Sequence, residues 1–285
     1  MNSLIIRPAT EDEFSVTIDW AAAEGWNPGR DDLAVFHATD PDGFLMGFVD
    51  GKAVSSISAV RYGTHYGFLG FYIVRPDVRG KGAGIATWEA GMAHLQGRTI
   101  GLDGVVDQQD NYKESGFAYA GRNVRYTGVP DTTSITTQMP VHNVTAEHLQ
   151  AIVDFDQSYF PAPRSPFIKS WIMSDTDNSR TTKIVLKNNR ISGYGVIRTC
   201  VSGYKIGPLF AETEDIAQAL ARELCAATDR GAEVSLDTPE DNPAAVQLAQ
   251  SLGLSPAFET ARMYKGTAPV IPISGIYGIT SFELG

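Results

Sequence analysis

The chain has 285 residues, 43% hydrophobic and 20% charged, the profile of a soluble globular protein long enough for two domains of ordinary size. Its 33 acidic against 23 basic residues leave a net charge of −10, which argues against a general nucleic-acid or anionic-membrane binder, since both need a basic face. The two cysteines, Cys200 and Cys225, allow neither a disulfide framework nor a four-cysteine zinc site, and the histidines at 37, 65, 94, 142 and 148 lack metal-site spacing, so no metal is expected.

In chain order, the opening MNSLIIRPATEDEF has no signal pattern, and no apolar run approaches the roughly 20 residues of a membrane span; a cytoplasmic location is expected. The stretch EGWNPGRDD (24–32) falls between two predicted helices. FLMGFVDGKAVSSISAVRY (44–62) places two apolar runs around Asp50-Gly51, a strong hairpin signal. GFLGFYIV (67–74) is apolar throughout and predicts a central strand, with Gly67 and Gly70 hinting at a bulge or a close backbone approach. A helix over 85–96 and a buried strand over 99–106 follow.

Between that strand and that helix, VRPDVRGKGAG sets Arg75, Arg79 and Lys81 among Gly80, Gly82 and Gly84. Glycines let the backbone approach a ligand closely, and a helix N-terminus offers free N–H groups and partial positive charge. Together they describe an anion site, against the plainer reading of a glycine-rich turn with solvated charges. A P-loop fails here because Lys81 is followed by Gly82 and no hydroxyl. A dinucleotide fingerprint fits poorly, since the glycine pattern breaks at Thr87, although Asp103 stands where a ribose-binding acid would lie.

Near residue 128 the texture changes to GVPDTTSITTQMP, as expected of a linker, and behind it the first half recurs. KIVLKNNRISGYGVIR (183–198) repeats the hairpin with Asn188-Asn189 as its turn, IGPLFAETEDIAQALARELCAA repeats strand and helix, and VSLDTPEDNPAAVQLAQSLGL echoes IGLDGVVDQQDNYKESGF. In both halves a Leu-Asp pair ends an apolar strand, giving Asp103 and Asp237. Echoes in one order predict a tandem repeat of one α/β unit, divided as residues 1–130 and 131–285.

VRPDVRGKGAG resembles motif A of the GNAT superfamily of acyl-CoA N-acyltransferases, with Arg79, Gly82 and Gly84 on the pattern positions, and NYKESGF resembles the family's Asn-Tyr-to-Gly-Phe segment. EGWNPG, LDGV, QQ and SGF, with a second unit ending in RMYKG, resemble a tandem-GNAT type. The resemblance implies two tandem α/β (α+β) domains, each with a mixed, mostly antiparallel sheet flanked by helices. It implies acetyl-CoA as acyl donor and a small-molecule amine as acceptor, with no nucleic-acid or membrane partner. The pyrophosphate would lie on the backbone of Arg79, Gly80, Lys81, Gly82, Ala83 and Gly84, with Asn111 nearby, while pantetheine would pair with the strand at Val74.

Acyl transfer needs a deprotonated amine, a polarised thioester carbonyl and a proton for the departing thiolate. The backbone N–H of Ile73 is the expected carbonyl partner and Tyr112 the expected acid, against a Tyr that merely packs a helix start. The strand before the glycine loop offers only Gly70, Phe71 and Tyr72 where the family often carries a Glu. Asp103 is therefore the expected base, against a strand-end structural role that Asp237 would share. Glu24, Trp26 and Asn27, on the segment where the family places its acceptor lid, are the expected acceptor contacts together with Tyr72. No nucleophile elbow is present and both cysteines suit core positions, so direct transfer in a ternary complex is expected. The second half has Glu212, Glu214 and Asp215 where the first has its loop, and Ala249 where the first has Tyr112, which predicts a degenerate unit without CoA. The competing reading is a non-catalytic acyl-CoA sensor.

Overall fold

The computed structural model describes residues 3–173 and 179–285. The first half runs β1 (Leu4–Pro8), α1 (Glu11–Phe14), α2 (Val16–Ala23), α3 (Asp32–Thr39), β2 (Phe44–Val49), β3 (Lys52–Tyr62), β4 (Tyr66–Val74), α4 (Ala83–His94), β5 (Thr99–Val105), α5 (Gln109–Glu114) and β6 (Ala118–Gly128). The second runs β7 (His142–Asn143), α6 (Leu149–Asp156), α7 (Ser165–Ile172), β8 (Arg180–Lys187), β9 (Arg190–Thr199), β10 (Tyr204–Ala211), α8 (Glu214–Cys225), β11 (Val234–Pro239), α9 (Pro243–Ser251), β12 (Ser255–Lys265) and β13 (Ile276–Gly278). Residues 129–141 between them hold neither helix nor strand.

Local chemistry explains the hairpins. Asp50 and Gly51 sit at φ of 51° and 72°, and Asn188 and Asn189 at 51° and 62°. Positive φ at both turn residues is the type I′ arrangement, whose twist matches that of the strands it joins.

The strands form one sheet in the order β1-β2-β3-β4-β5-β12-β6-β11-β10-β9-β8-β7, with β13 added on β10. Among the described residues, β4–β5 and β10–β11 pair in parallel and the other named strand pairs are antiparallel, so the sheet is mixed and mostly antiparallel, with helices flanking it. The order reads nearly the same from either end. Its centre holds a feature the repeat pattern did not predict: β12 of the second half lies beside β5, and β6 of the first lies beside β11. Each half hands its last long strand to the other, so the sheet does not divide near residue 130.

Two ion pairs lock this exchange. Arg262 on β12 stands directly opposite Asp103 on β5, with Nε to Oδ1 at 2.8 Å and Nη2 to Oδ2 at 2.6 Å. Arg125 on β6 stands opposite Asp237 on β11, at 2.6 and 2.7 Å. Removing one partner of such a buried pair strands a charge, at a cost of about 3–5 kcal/mol.

The β4–β5 pairing lasts only from Tyr66 opposite Thr99 to Leu69 opposite Leu102. Phe71 then takes φ of 46° and the register on β3 shifts, the bulge that Gly70 hinted at. Beyond it the two strands part. Helix α4 covers one face there, burying Trp88 and Leu95 with Ile57, Leu69 and Leu102. The segment 276–285 returns to the first half, where Tyr62 Oη donates to the carbonyl of Leu284 at 3.1 Å, while Arg164 of the second half donates to that of Gly285 at 3.3 Å.

Candidate active site

The glycine loop ends at Gly82, whose φ of 90° makes it a left-handed N-cap for α4. Few other residues accept that conformation. The helix starts directly after it, at Ala83, two residues before the expected start, and its first turn contains Gly84. That turn has neither a side-chain cap nor an acidic residue, so its N–H groups keep their appetite for an anion. Arg79, Gly80, Lys81 and Gly82 are exposed. The cations already lean on neighbours: Arg79 donates to the Val74 carbonyl at 2.9 Å and to Glu24 Oε1 at 2.6 Å, Lys81 to the Asp77 carbonyl at 2.9 Å, and Arg75 to Asp77 at 2.8 Å. Glu24, expected to meet an amine, pairs with Arg79 and, like it, lines the cavity between β4 and β5.

Where β4 and β5 part, a cavity of about 580 Å³ opens, and Arg79 stands on its wall. Val74, Tyr72, Tyr112 and Trp88 line it as well. Arg75 N–H bonds the Val54 carbonyl on β3, and Ile73 lies two residues earlier, opposite Ser56. Strand alternation therefore turns the Ile73 N–H toward β3, and it is Val74 whose amide faces the open side. The expected role of Ile73 at the thioester carbonyl is corrected on that ground. Trp88 lies between two phenols, its ring 5.4 Å from that of Tyr72 and 5.6 Å from that of Tyr112. Burial, and secondarily the nearby Tyr72, push the Tyr112 phenol up to about 12, so it holds its proton throughout the neutral range. Asn111 is exposed, bonds Gln108 at 2.7 Å and is not part of the cavity lining.

On the acceptor side only part of the expected set converges. Trp26 lines the cavity. Asn27 does not: its amide clamps Ser202 of the second half, donating to the carbonyl at 2.8 Å and accepting from the N–H at 2.9 Å. Two buried cations hold the same loop by its carbonyls, Arg125 at Trp26 (2.6 Å) and Lys205 at Asn27 (2.9 Å). Asp103 borders the cavity, yet Arg262 occupies both of its oxygens and Asn123 adds a third bond at 2.8 Å. The expected base is thus a structural ion-pair partner, the role that Asp237 shares. Cys200 and Cys225 are buried, and burial raises both thiols, the latter to about 12, which suits core residues.

Sequence reasoning missed Trp88, Phe258, Thr260, Phe282 and Glu283, all of which face this cavity. Trp88 carried a local signal, being one turn into the helix that follows the loop. Phe258 and Thr260 reach the site through the exchange of β12, and Phe282 and Glu283 through the segment after β13 that packs against Gly70.

Residues 9–117 match the acetyltransferase (GNAT) family and residues 152–278 an acetyltransferase (GNAT) domain. Over 279 residues the chain is 31% identical to holothin acyltransferase of Pseudoalteromonas sp. (strain SANK 73390), across 98% of this chain and 94% of that protein. The chain belongs to the GNAT family. Its fold resembles that of a putative acetyltransferase from Pyrococcus horikoshii, with a TM-score of 0.83 and 20% identity over 100% of this chain and 97% of the other. It also resembles a tandem GNAT protein from the clavulanic acid biosynthesis pathway, with a TM-score of 0.64 and 12% identity over 93% and 100% of the two chains. This GNAT protein is an acyltransferase with two GNAT domains, in a family whose general donor is acyl-CoA.

The second GNAT half has the same strand opening and a different content. β10 pairs with β11 only from Tyr204 to Ile206, as β4 does with β5. Beyond that point β13 lies on β10, with Leu209 opposite Gly278 and Phe210 opposite Ile276. Only Glu212 and Thr213 separate β10 from α8, so no loop exists to wrap a pyrophosphate. Thr213 is the N-cap residue but its side chain makes no capping bond; Glu214 and Asp215 fill the first turn with negative charge. Ala249, at the place of Tyr112, is buried in the second core.

Proposed function

We propose that residues 1–130 transfer an acetyl group from acetyl-CoA to a primary amine of a small molecule, by direct attack in a ternary complex, and that residues 131–285 bind no CoA. One observation carries the reading: the open side of β4, with its free Val74 amide, leads from beneath the uncapped N-terminus of α4 into the 580 Å³ cavity. The backbone of 79–84 would cradle the pyrophosphate, with Arg79 and Lys81 adding charge. Pantetheine would extend as an added strand along β4, which aims the thioester at Tyr112 and Trp88. The Tyr112 hydroxyl would hold the sulfur as the C–S bond breaks, stabilising the leaving thiolate with a hydrogen bond. Trp26, Phe258 and Phe282 would give the acceptor an apolar wall, and the net charge of −10 favours an amine that arrives as a cation. The relative named as a holothin acyltransferase supports a small-molecule acceptor over a protein one.

The test is free-thiol release from acetyl-CoA across a panel of small primary amines. Amine-dependent release with one N-acetylated product per thiol is the expected result; acetyl-CoA binding without release in the presence of any amine would favour the sensor reading instead.

A further inference from the structure

The carboxylate of Glu283 is 4% exposed, and its Oε1 is buried without a hydrogen-bond partner. Burying an acceptor atom with nothing to accept from is costly, and where it occurs the partner is an ordered water, an ion, or a ligand or reaction that supplies one. Glu283 faces the cavity of the first half. A second orphan lies in the same wall: Thr260 on β12, 2% exposed, with Oγ1 unpartnered. Two residues from distant parts of the chain, each with one buried polar atom that lacks a partner, thus line one cavity.

Glu283 reaches this place because of Gly70. A Cβ there would collide with the Glu283 backbone, so glycine on β4 is what lets the segment 276–285 lie against the bulge. The strand that offers no carboxylate of its own therefore receives one from elsewhere in the chain. A counter-ion role is the rival explanation, since the charge of Glu283 is felt by Arg125, Arg198 and Lys205. Arg125 is paired with Asp237 and Arg198 with Asp32, although Arg198 Nη2 is itself buried without a partner, and Lys205 bonds the Asn27 carbonyl; none of the three donates to Glu283 Oε1.

Resting on the acyltransfer reading above, we propose that Glu283 is the general base for the acceptor amine and that Thr260 positions that amine beside it. An acceptor that arrives as a cation first loses one proton to solvent through Glu283, and the neutral amine then gives a second proton to Glu283 as the C–N bond forms. The C–S bond then breaks, and the thiolate leaves hydrogen-bonded to Tyr112 and takes a proton through it from solvent. Glu283 returns its proton to solvent, so the cycle is balanced without any other reactant.

The experiment uses the full chain, acetyl-CoA and the amine that gives the fastest thiol release. Glu283→Gln should lower kcat about 100- to 10,000-fold, the span typical of a lost general base, with acetyl-CoA affinity unchanged within twofold. Glu283→Asp keeps the charge but withdraws the carboxylate by one methylene, and should lose at least about tenfold in kcat. Thr260→Val should raise the amine KM several-fold and spare kcat. A folded Glu283→Gln or Glu283→Asp protein within threefold of wild-type kcat overturns the proposal, the aspartate result by showing that charge alone suffices. Should Glu283→Gln not fold, Glu283→Asp decides. Wild-type protein that releases no thiol with any amine overturns the acyltransfer reading and this inference with it, an outcome distinct from equal rates in wild type and variant.

Discussion

β4 and β10 occupy equivalent places in the two halves, and each parts from its parallel neighbour after a few residues. One opening leads into a cavity; the other is closed by the chain's own β13. The loops above them differ in the same sense, eight residues that include Gly80 and Gly82 against two residues leading into acids. What the halves share is the seam, where Asp103 and Asp237 each hold an arginine from the opposite half. On the proposed reading, fold maintenance and ligand binding rest on separate residues. A duplicated unit can lose the second and keep the first, and the half that lost its groove still furnishes the cavity wall of the half that kept it.

The comparison breaks most sharply at the loop. Gly82→Glu puts a side chain on a residue at φ 90° and a negative charge where the pyrophosphate would lie; acyl-CoA affinity should fall at least about 100-fold in calorimetry. Glu214→Gln at the corresponding helix end should leave affinity within twofold. Next come the seam pairs. Asp237→Ala should destabilise by about 3–5 kcal/mol in chemical denaturation, because it strands Arg125, which is 3% exposed. Asp103→Asn should cost less, since Arg262 retains more access to water, and should leave kcat within threefold. A large kcat loss with unaltered stability would return Asp103 to the chemistry.

Tyr112→Phe should lower kcat about 10- to 1000-fold with acyl-CoA affinity nearly unchanged. The phenol also has a pH signature. Its folded value of about 12 lies above the ordinary 10, so its contribution to stability is complete below pH 10 and disappears as pH rises toward 12. The melting difference between wild type and Tyr112→Phe should accordingly stay flat from pH 7 to 9 and shift against wild type above pH 10. The smallest effect is expected at the lid: Asn27→Ala removes two bonds to Ser202 and should raise the amine KM a few-fold through a looser loop, with kcat little changed.

The placement of the glycine loop between a strand and a helix N-terminus was legible because its determinants are local. Glycines among cations before a helix give a turn into an uncapped helix end wherever the chain goes next, and Asp50-Gly51 and Asn188-Asn189 encode their turns within two residues. The strand exchange was not legible, because β6 and β12 play equivalent roles and nothing nearby says which neighbour each will choose. Asp103 was misjudged for the same reason: its partner is 159 positions away, although the repeated Leu-Asp pair did point toward a shared structural use. Glu283 sits in a short stretch, SFELG, without motif or periodicity. Only its burial opposite Gly70 gives it meaning.

The central claim, that one half binds acyl-CoA and the other only supports it, is tested most directly by titrating the full chain with acetyl-CoA in a calorimeter. One site per chain is predicted, with no heat of binding for Gly82→Glu under the same conditions. Two sites per chain, or one site that survives Gly82→Glu, would contradict it.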